Sequence, residues 1–362
     1  MLRVCFIIAD VTWTGGIERV LSRLALSIPD DNIDLEILSL YRTYKDTYYT
    51  FPDNVKIKYL NDNYQYKGRP GSFTRLVQHL RTSIKLREFL NSCNYDIIVV
   101  HTFPLAFINF FTEKRSKWVV VEHVKYYYYN ILLRRIRSFI YDKYDAIVLL
   151  TDKDVTHFKN ANNNVYVIPN PLSFSQTKKA NLNSVRIISV GRLEKQKGFD
   201  MLLKAFSYIS YKYPEWQLDI FGKGNEEENL RKLISKLNLK NVNLMGTSKN
   251  IHQEYLSSAF YVMSSRYEGF PMVLLEAMAS GLPCISFNCE TGPADIIIDN
   301  ENGFLIEHFD VVQLSKAMEK LIKDEYLRTK MGNAAFERAD EFSLEKITLK
   351  WKELFKGLTH EK

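Results

Sequence analysis

Short apolar runs alternate with amphipathic stretches along the whole chain, and this alternation commits it to parallel sheets covered by helices. In the first half, the runs at 4–9, 35–40, 97–101, 118–122 and 146–150 have the character of buried strands. In the second half the same holds for 185–190, 216–221, 242–245, 261–264 and 284–287. Between the two sets, Pro169-Asn170-Pro171 stops regular structure and the polar stretch 173–184 suits a linker. The expectation is an α/β chain with two doubly wound, Rossmann-like domains, at 1–172 and 185–342, facing across a cleft.

At 362 residues and 46% apolar, the chain is long for one core and comfortable for two. No apolar run reaches the ~18 residues that suggest a membrane span. The opening MLRVCFIIAD is interrupted too soon for a secretory signal and suits a first strand. Cys5, Cys93, Cys284 and Cys289 lack metal-ligand spacing, so reduced thiols in a cytoplasmic protein are expected. The net charge of +7 belongs to the first half, where residues 1–172 carry 23 Lys/Arg against 17 Asp/Glu. A basic half suits an anionic membrane surface or a phosphorylated substrate. Without zinc-finger spacing or an RNA-binding aromatic signature, nucleic acid is not an expected partner.

The segment 264–281, SSRYEGFPMVLLEAMASG, carries the strongest chemical signal. Glu268 and Glu276 stand eight positions apart, with Gly269, Phe270 and Pro271 after the first and an apolar helix around the second. Pro271 suits the first helical position, because its missing N–H has no intrahelical partner to lose. The N–H groups of Met272, Val273 and Leu274 then form an anion site at a helix start. Two solvated glutamates on a surface helix are the plain alternative. Against it, a buried strand precedes the segment and another follows, which places both acids at the carboxyl end of a parallel sheet. One carboxylate can hold sugar hydroxyls and the other ribose hydroxyls, on either side of a diphosphate.

Three further glycine-containing stretches follow strands. Thr14-Gly15-Gly16-Ile17-Glu18-Arg19 opens a helix, and Gly15 and Gly16 let backbone approach a ligand closely. Gly191-Arg192-Leu193-Glu194-Lys195-Gln196-Lys197-Gly198 puts two cations at a strand's carboxyl end. Gly222-Lys223-Gly224-Asn225-Glu226 lacks the third glycine of a dinucleotide fingerprint, since position 227 is Glu; a shaping turn with Glu226 at a helix start fits better than NAD binding.

Taken in order and spacing, these motifs resemble retaining glycosyltransferases of family 4, of GT-B architecture, over most of the chain. The segment with Glu268 and Glu276 resembles the family's E-x7-E signature, and 191–198 its G-R-L-x-x-x-K-G stretch. The resemblance implies that Gly15, Gly16, Arg192 and Lys197 meet the donor diphosphate, the latter two neutralising it as it leaves. It implies that Glu268 orients the donor sugar and Glu276 the ribose, and that no enzyme nucleophile or metal takes part. A diphosphate oxygen would help deprotonate the incoming hydroxyl. His101, at a strand end before Thr102-Phe103-Pro104, and His123, after Glu122, resemble donor-side and acceptor-side histidines; capping or core roles remain open. Asp152-Lys153-Asp154 mimics a metal-binding D-x-D, but Thr151 and Asp154 suit a capping box for a helix at 155–159. A final helix, about 344–358 within 343–362, would return to the first domain. Thr291-Gly292-Pro293-Ala294-Asp295-Ile296 resembles a variant of bacterial surface-polysaccharide transferases.

The stretch 125–143, KYYYYNILLRRIRSFIYDK, is the other unusual feature. At helical spacing Leu132, Leu133, Ile136, Phe139 and Ile140 share a face, and Arg134, Arg135, Arg137 and Ser138 crowd the rest. A helix packed on the sheet is the plain account. An interfacial element, with tyrosines at headgroup depth and arginines on phosphates, is the favoured one, and Arg75, Arg81, Lys85 and Arg87 add charge to the same half. The expected activity is transfer of a hexosyl or N-acetylhexosaminyl group from a UDP-sugar, without a cofactor, to a lipid-linked oligosaccharide or glycan acceptor. The expected location is the inner face of the cytoplasmic membrane. A UDP-sugar epimerase and a non-catalytic nucleotide-sugar sensor are the alternatives.

Overall fold

The computed structural model describes residues 1–62 and 73–360. Within these the chain divides into two compact units, Met1–Ser173 with Leu344–Lys362, and Phe174–Ser343. In the first unit, strands β1 (Leu2–Ile8), β2 (Ile33–Ser39), β3 (Lys56–Tyr59), β4 (Ile97–His101), β5 (Lys117–Glu122), β6 (Ala146–Leu149) and β7 (Val165–Val167) form one parallel sheet. Its order is β3-β2-β1-β4-β5-β6-β7. Helices α1 (Gly16–Ala25), α2 (Phe73–Asn91), α3 (Phe103–Asn109), α4 (Ile131–Tyr141) and α5 (Val155–Lys159) connect the strands. The central strands are buried on both faces, which is why they are near-continuous Val, Ile and Phe. Ile7, Val100, Val120 and Ile147 from four neighbouring strands share one core with Leu86 of α2 and Ile108 of α3.

In the second unit, β8 (Arg186–Val190), β9 (Gln217–Phe221), β10 (Val242–Gly246), β11 (Phe260–Met263), β12 (Cys284–Phe287) and β13 (Gly303–Ile306) form a parallel sheet in the order β10-β9-β8-β11-β12-β13. Helices α6 (Phe199–Ser207), α7 (Glu227–Lys236), α8 (Ile251–Leu256), α9 (Met272–Ala279), α10 (Pro293–Ile296), α11 (Val311–Lys323) and α12 (Glu325–Ala339) connect and cover it. The last helix, α13 (Leu344–His360), belongs to the first unit. Its Trp351 and Phe355 rings lie 5.7 and 6.4 Å from Phe6 of β1, and Lys352 Nζ pairs with Asp30 at 2.5 Å.

Both sheets reverse their winding once. In the first the reversal lies between β1 and β4; in the second it lies between β8 and β11, where Ile187 pairs with Phe260 and Ile188 with Tyr261. Crevices at the carboxyl ends of strands on either side of such a reversal are where open α/β sheets bind ligands. The loop that carries Gly15 leaves β1, and His101 ends β4. Arg192 and Lys197 follow β8, and Glu268 follows β11. The chemistry-bearing residues of each unit therefore straddle its own switch point.

Three short strands, β3, β7 and β13, fall outside the sequence expectation. All three lie at sheet edges: β3 is Lys-Ile-Lys-Tyr and β7 only three residues, so one-sided pairing leaves them little apolar content, whereas β13, Gly-Phe-Leu-Ile, is apolar and packs into the core. The four cysteines are free thiols, three of them buried.

Candidate functional site

In the second unit, the turn after β8 and the loop after β11 are tied together by a dense set of bonds. Lys195–Lys197 forms a single 3-10 turn that ends at Gly198, whose φ of +65° is left-handed. That conformation lets the turn press against Ser264, whose hydroxyl donates to the Lys197 carbonyl at 3.0 Å. The Arg266 N–H donates to the Gln196 carbonyl at 2.7 Å, and the Gln196 side chain donates to the Tyr267 carbonyl at 3.0 Å. The Arg266 guanidinium forks onto Asp200, both bonds 2.8 Å, and donates to the Lys195 carbonyl at 2.7 Å. Such bidentate pairs fix geometry as well as adding energy.

The consequence is that Lys197 Nζ reaches Glu268 Oε1 at 2.6 Å, with both side chains largely buried. Arg192, exposed at the mouth, donates to Gln196 Oε1 at 3.3 Å and so sits one side chain away from the same loop. Glu276 lies inside α9, 1% exposed. Burial pushes the Tyr261 hydroxyl, on β11 before this loop, well above its ordinary pKa. Lys197 and Glu268 thus meet at the switch point of this unit, and Arg192 is bonded to the same turn through Gln196.

The start of α9 departs from expectation. Pro271 is the capping residue, with ψ of 91°, and the helix begins at Met272. The Leu274 N–H turns back to the Pro271 carbonyl at 3.0 Å, leaving Met272 and Val273 as the N–H groups for an anion. The stretch that follows β12 packs against this start. Gly292 has φ of +96°, and a Cβ there would stand 2.6 Å from Pro271 Cδ and 2.8 Å from the Gly269 carbonyl. The Thr291 hydroxyl donates to the Glu268 carbonyl at 2.6 Å. Phe270 is largely buried, its ring 5.8 Å from that of Phe342. The 222–226 turn lies against the 191–193 backbone, where Leu193 N–H donates to the Lys223 carbonyl at 2.9 Å, and Glu226 caps α7.

In the first unit, buried Asp10 organises the loop before α1, accepting from the Thr12 N–H at 2.9 Å and from the Thr12 and Thr43 hydroxyls at 2.6 Å. Gly15 caps α1 and Gly16 opens it. The Glu18 carboxylate folds back over this helix start, where a Cβ on Gly15 would stand 2.2 Å from its Oε2. Burial raises the Glu18 pKa.

His101 and His123 end neighbouring strands and meet, Nδ1 of the first 3.0 Å from Nε2 of the second. His101 is 2% exposed; His123 is half-buried. Burial lowers both pKa values, that of His123 to about 4. Thr102, next to His101, adopts φ 83° and ψ 151°, a region that costs a β-branched residue on the order of 1–3 kcal/mol.

Helix α4 is rotated from its expected orientation. Ile140 faces the core, but Ile131, Leu132 and Phe139 are 62, 65 and 61% exposed, while Arg137 is fully buried. Its guanidinium pairs with Glu122 at 3.2 Å, donates to the Tyr126 carbonyl at 2.8 Å and stacks 4.6 Å from the Phe158 ring centre. A buried carboxylate on β5 draws the arginine inward, and the apolar residues opposite are turned out. Arg134 lies 4.7 Å over the Tyr127 ring. Lys85 donates to Asn61, and Arg87 pairs with Glu113 at 3.6 Å. The side chain of Arg75 lies outside the described residues. The capping box at 151–154 does not form; Asp154 instead accepts from the Tyr126 N–H at 2.9 Å. Among the described residues no cluster of acids, histidines and cysteines could hold a metal.

Arg266 and Asp200 lie outside the sequence reading, which takes Thr291 only as part of a loop motif and Arg137 as an outward-facing cation. Each acts through a partner distant in sequence, and a lone Arg, Asp or Thr in a loop carries no spacing signal.

Two protein-family models match the chain: "Glycosyltransferase Family 4" over residues 14–176 and "Glycosyl transferases group 1" over 173–338. An uncharacterized glycosyltransferase of Haemophilus influenzae is 31% identical, over 97% of this chain and 99% of the relative. The amylovoran biosynthesis glycosyltransferase AmsD of Erwinia amylovora is 29% identical over 98% and 99%. A Campylobacter jejuni alpha-1,4-N-acetyl-D-galactosaminyltransferase, whose name specifies a diNAcBac-PP-undecaprenol-linked substrate, is 25% identical over 98% of both chains. Among solved structures, TarM superposes with a TM-score of 0.82 at 17% identity, covering 98% of this chain and 99% of its own. The pneumococcal O-GlcNAc transferase GtfA, in complex with UDP and GlcNAc, gives 0.79 at 16% over 99% of both.

Proposed function

Because the chain belongs to the glycosyltransferases of group 1 and family 4 and has their GT-B fold, we propose that its second unit holds the diphosphate of a UDP-sugar against Lys197, Arg192 and the start of α9. Glu268 would then hold the donor sugar and Glu276 the ribose. The observation that carries this reading is the Lys197–Glu268 pair, a cation for the leaving diphosphate and a carboxylate for sugar hydroxyls, 2.6 Å apart at a switch point. The transferred group is a hexosyl or N-acetylhexosaminyl unit. The acceptor is a lipid-linked oligosaccharide or glycan of a bacterial cell surface, a class supported by the names of the Erwinia and Campylobacter relatives.

In the proposed step the acceptor hydroxyl bonds to the anomeric carbon on the face from which the diphosphate departs. The bond from that carbon to the diphosphate oxygen breaks, UDP leaves, and the hydroxyl proton passes to a diphosphate oxygen. Configuration is retained. Lys197 and Arg192 neutralise the charge that develops on the leaving group, where one well-placed donor contributes on the order of 3 kcal/mol. The reading needs no metal, because two cations and a helix start supply the countercharge.

Proton NMR of the product made from UDP-hexoses or UDP-N-acetylhexosamines tests it. The expected result is transfer with the donor's anomeric configuration, reduced by about a hundred-fold or more in folded Lys197→Ala and Glu268→Gln. Unchanged turnover in both variants would remove the assignment of the site, and an epimerised UDP-sugar with no UDP release would replace transfer by epimerisation.

A further inference from the structure

We propose that His101 is a positioning residue that fixes the tautomer of His123, so that His123 offers its Nδ1–H as a hydrogen-bond donor to a sugar or phosphate oxygen. The inference rests on the glycosyl-transfer reading for its substrate, but not for its geometry. The planes of the two rings are 25° from parallel with centroids 5.3 Å apart, and His101 Nδ1 lies 3.0 Å from His123 Nε2. One proton occupies that line, and the two ways of placing it differ in what they leave behind.

If His123 Nε2 donates, His101 must carry its own proton on Nε2. That atom is buried with no hydrogen-bond partner, so a donor would be stranded. If His101 Nδ1 donates, the stranded Nε2 is a bare lone pair instead. Orphaned buried N–H groups are rarer than orphaned acceptors in folded proteins, so the second arrangement is favoured. It commits His123 Nε2 as an acceptor and puts the proton of His123 on Nδ1.

The His101 ring is fixed in place, so its Nε2 finds no other partner. It is 2% exposed, packs edge-on at 5.4 Å against Phe6, and precedes Thr102, whose N–H is held by the Val121 carbonyl at 2.9 Å in a backbone region costly for a β-branched residue. His123 is the half-buried member, and Nδ1 is the nitrogen it has left for an incoming group. A neutral imidazole protonated there can donate to an oxygen; it cannot take the proton of an acceptor hydroxyl at that atom. The lowered pKa values of both rings agree with a neutral pair.

Nitrogen-15 NMR of the full chain labelled at histidine, without substrate, reads the tautomer directly; Asn variants at 101 and 123 assign the two rings among the 7 histidines. The expected spectrum shows His123 protonated at Nδ1 and bare at Nε2 at pH 7. Protonation of His123 at Nε2 would overturn the proposal, whatever the enzyme's activity. In His101→Ala, His123 should populate both tautomers and kcat/KM should fall about ten-fold, the worth of one hydrogen bond. His101→Asn keeps an N–H donor and should restore most of that loss. Equal kcat/KM in wild type and a folded His101→Ala would also overturn it. Because the tautomer needs no substrate, absence of sugar transfer in the wild type would defeat the functional reading and leave this one standing.

Discussion

Lys197 and Glu268 are each other's partners, so removing either leaves a mostly buried charge uncompensated as well as an empty role. Glu268→Gln is the cleaner test, since the amide keeps the shape and a hydrogen-bond acceptor for Lys197. The histidine pair makes a different prediction. A folded-state pKa lowered from about 6.5 to about 4 means that the unfolded chain binds protons which the folded chain refuses. His123 therefore contributes stability that is intact above about pH 6.5 and is lost as pH falls toward 4. The thermal midpoint should drop across that window, and part of the drop should vanish in His123→Asn; the same slope in both proteins would show that His123 is not held neutral. The nearness of Glu268, Arg192 and Lys197 was legible because each follows a strand in a short motif. Arg137 was not, because helical spacing counts an arginine outward and the acid that draws it in sits 15 residues away on another strand.

At the scale of elements, α4 is held to β5 by its fully buried Arg137 and by Tyr141, which both donate to Glu122, and with that side turned inward its apolar residues at 131, 132 and 139 face out. Arg137→Ala should destabilise the first unit by about 3–5 kcal/mol, because Glu122 would be left buried without a counter-charge. Replacing both, as Glu122→Leu with Arg137→Leu, should recover much of the loss in thermal unfolding. A double variant no better than the single one would show that packing, and not the orphaned carboxylate, sets the penalty. The start of α9 teaches a related lesson. Proline at a helix start was readable, but the close packing of Gly292 and Thr291 against Pro271 and the Glu268 carbonyl, from beyond β12, was not. Edge strands β3 and β7 were illegible for the opposite reason, since short pairings with one neighbour leave almost no periodicity.

For the molecule as a whole, the alternation of apolar runs and amphipathic stretches was enough to give two parallel-sheet units, because strands buried on both faces must be apolar throughout. Membrane contact was read from charge, and the structure shifts the grounds for it. Arg137 is buried and Arg134 stacks on tyrosine, while Ile131, Leu132 and Phe139 stand exposed; no helix among the described residues is long and apolar enough to cross a membrane. We propose peripheral binding through that apolar face. Co-sedimentation with anionic vesicles should depend only weakly on salt and should fall sharply in Leu132→Asp with Phe139→Asp. Binding that disappears with added salt, yet survives the double variant, would assign contact to surface charge instead.

The donor's pyrophosphate is the group on which the proposed site turns, and UDP binding by calorimetry isolates it. Lys197→Ala should weaken UDP by about ten-fold or more, whereas Glu268→Gln, facing the absent sugar, should leave UDP affinity nearly unchanged. Equal UDP affinity in wild type and Lys197→Ala would contradict the account.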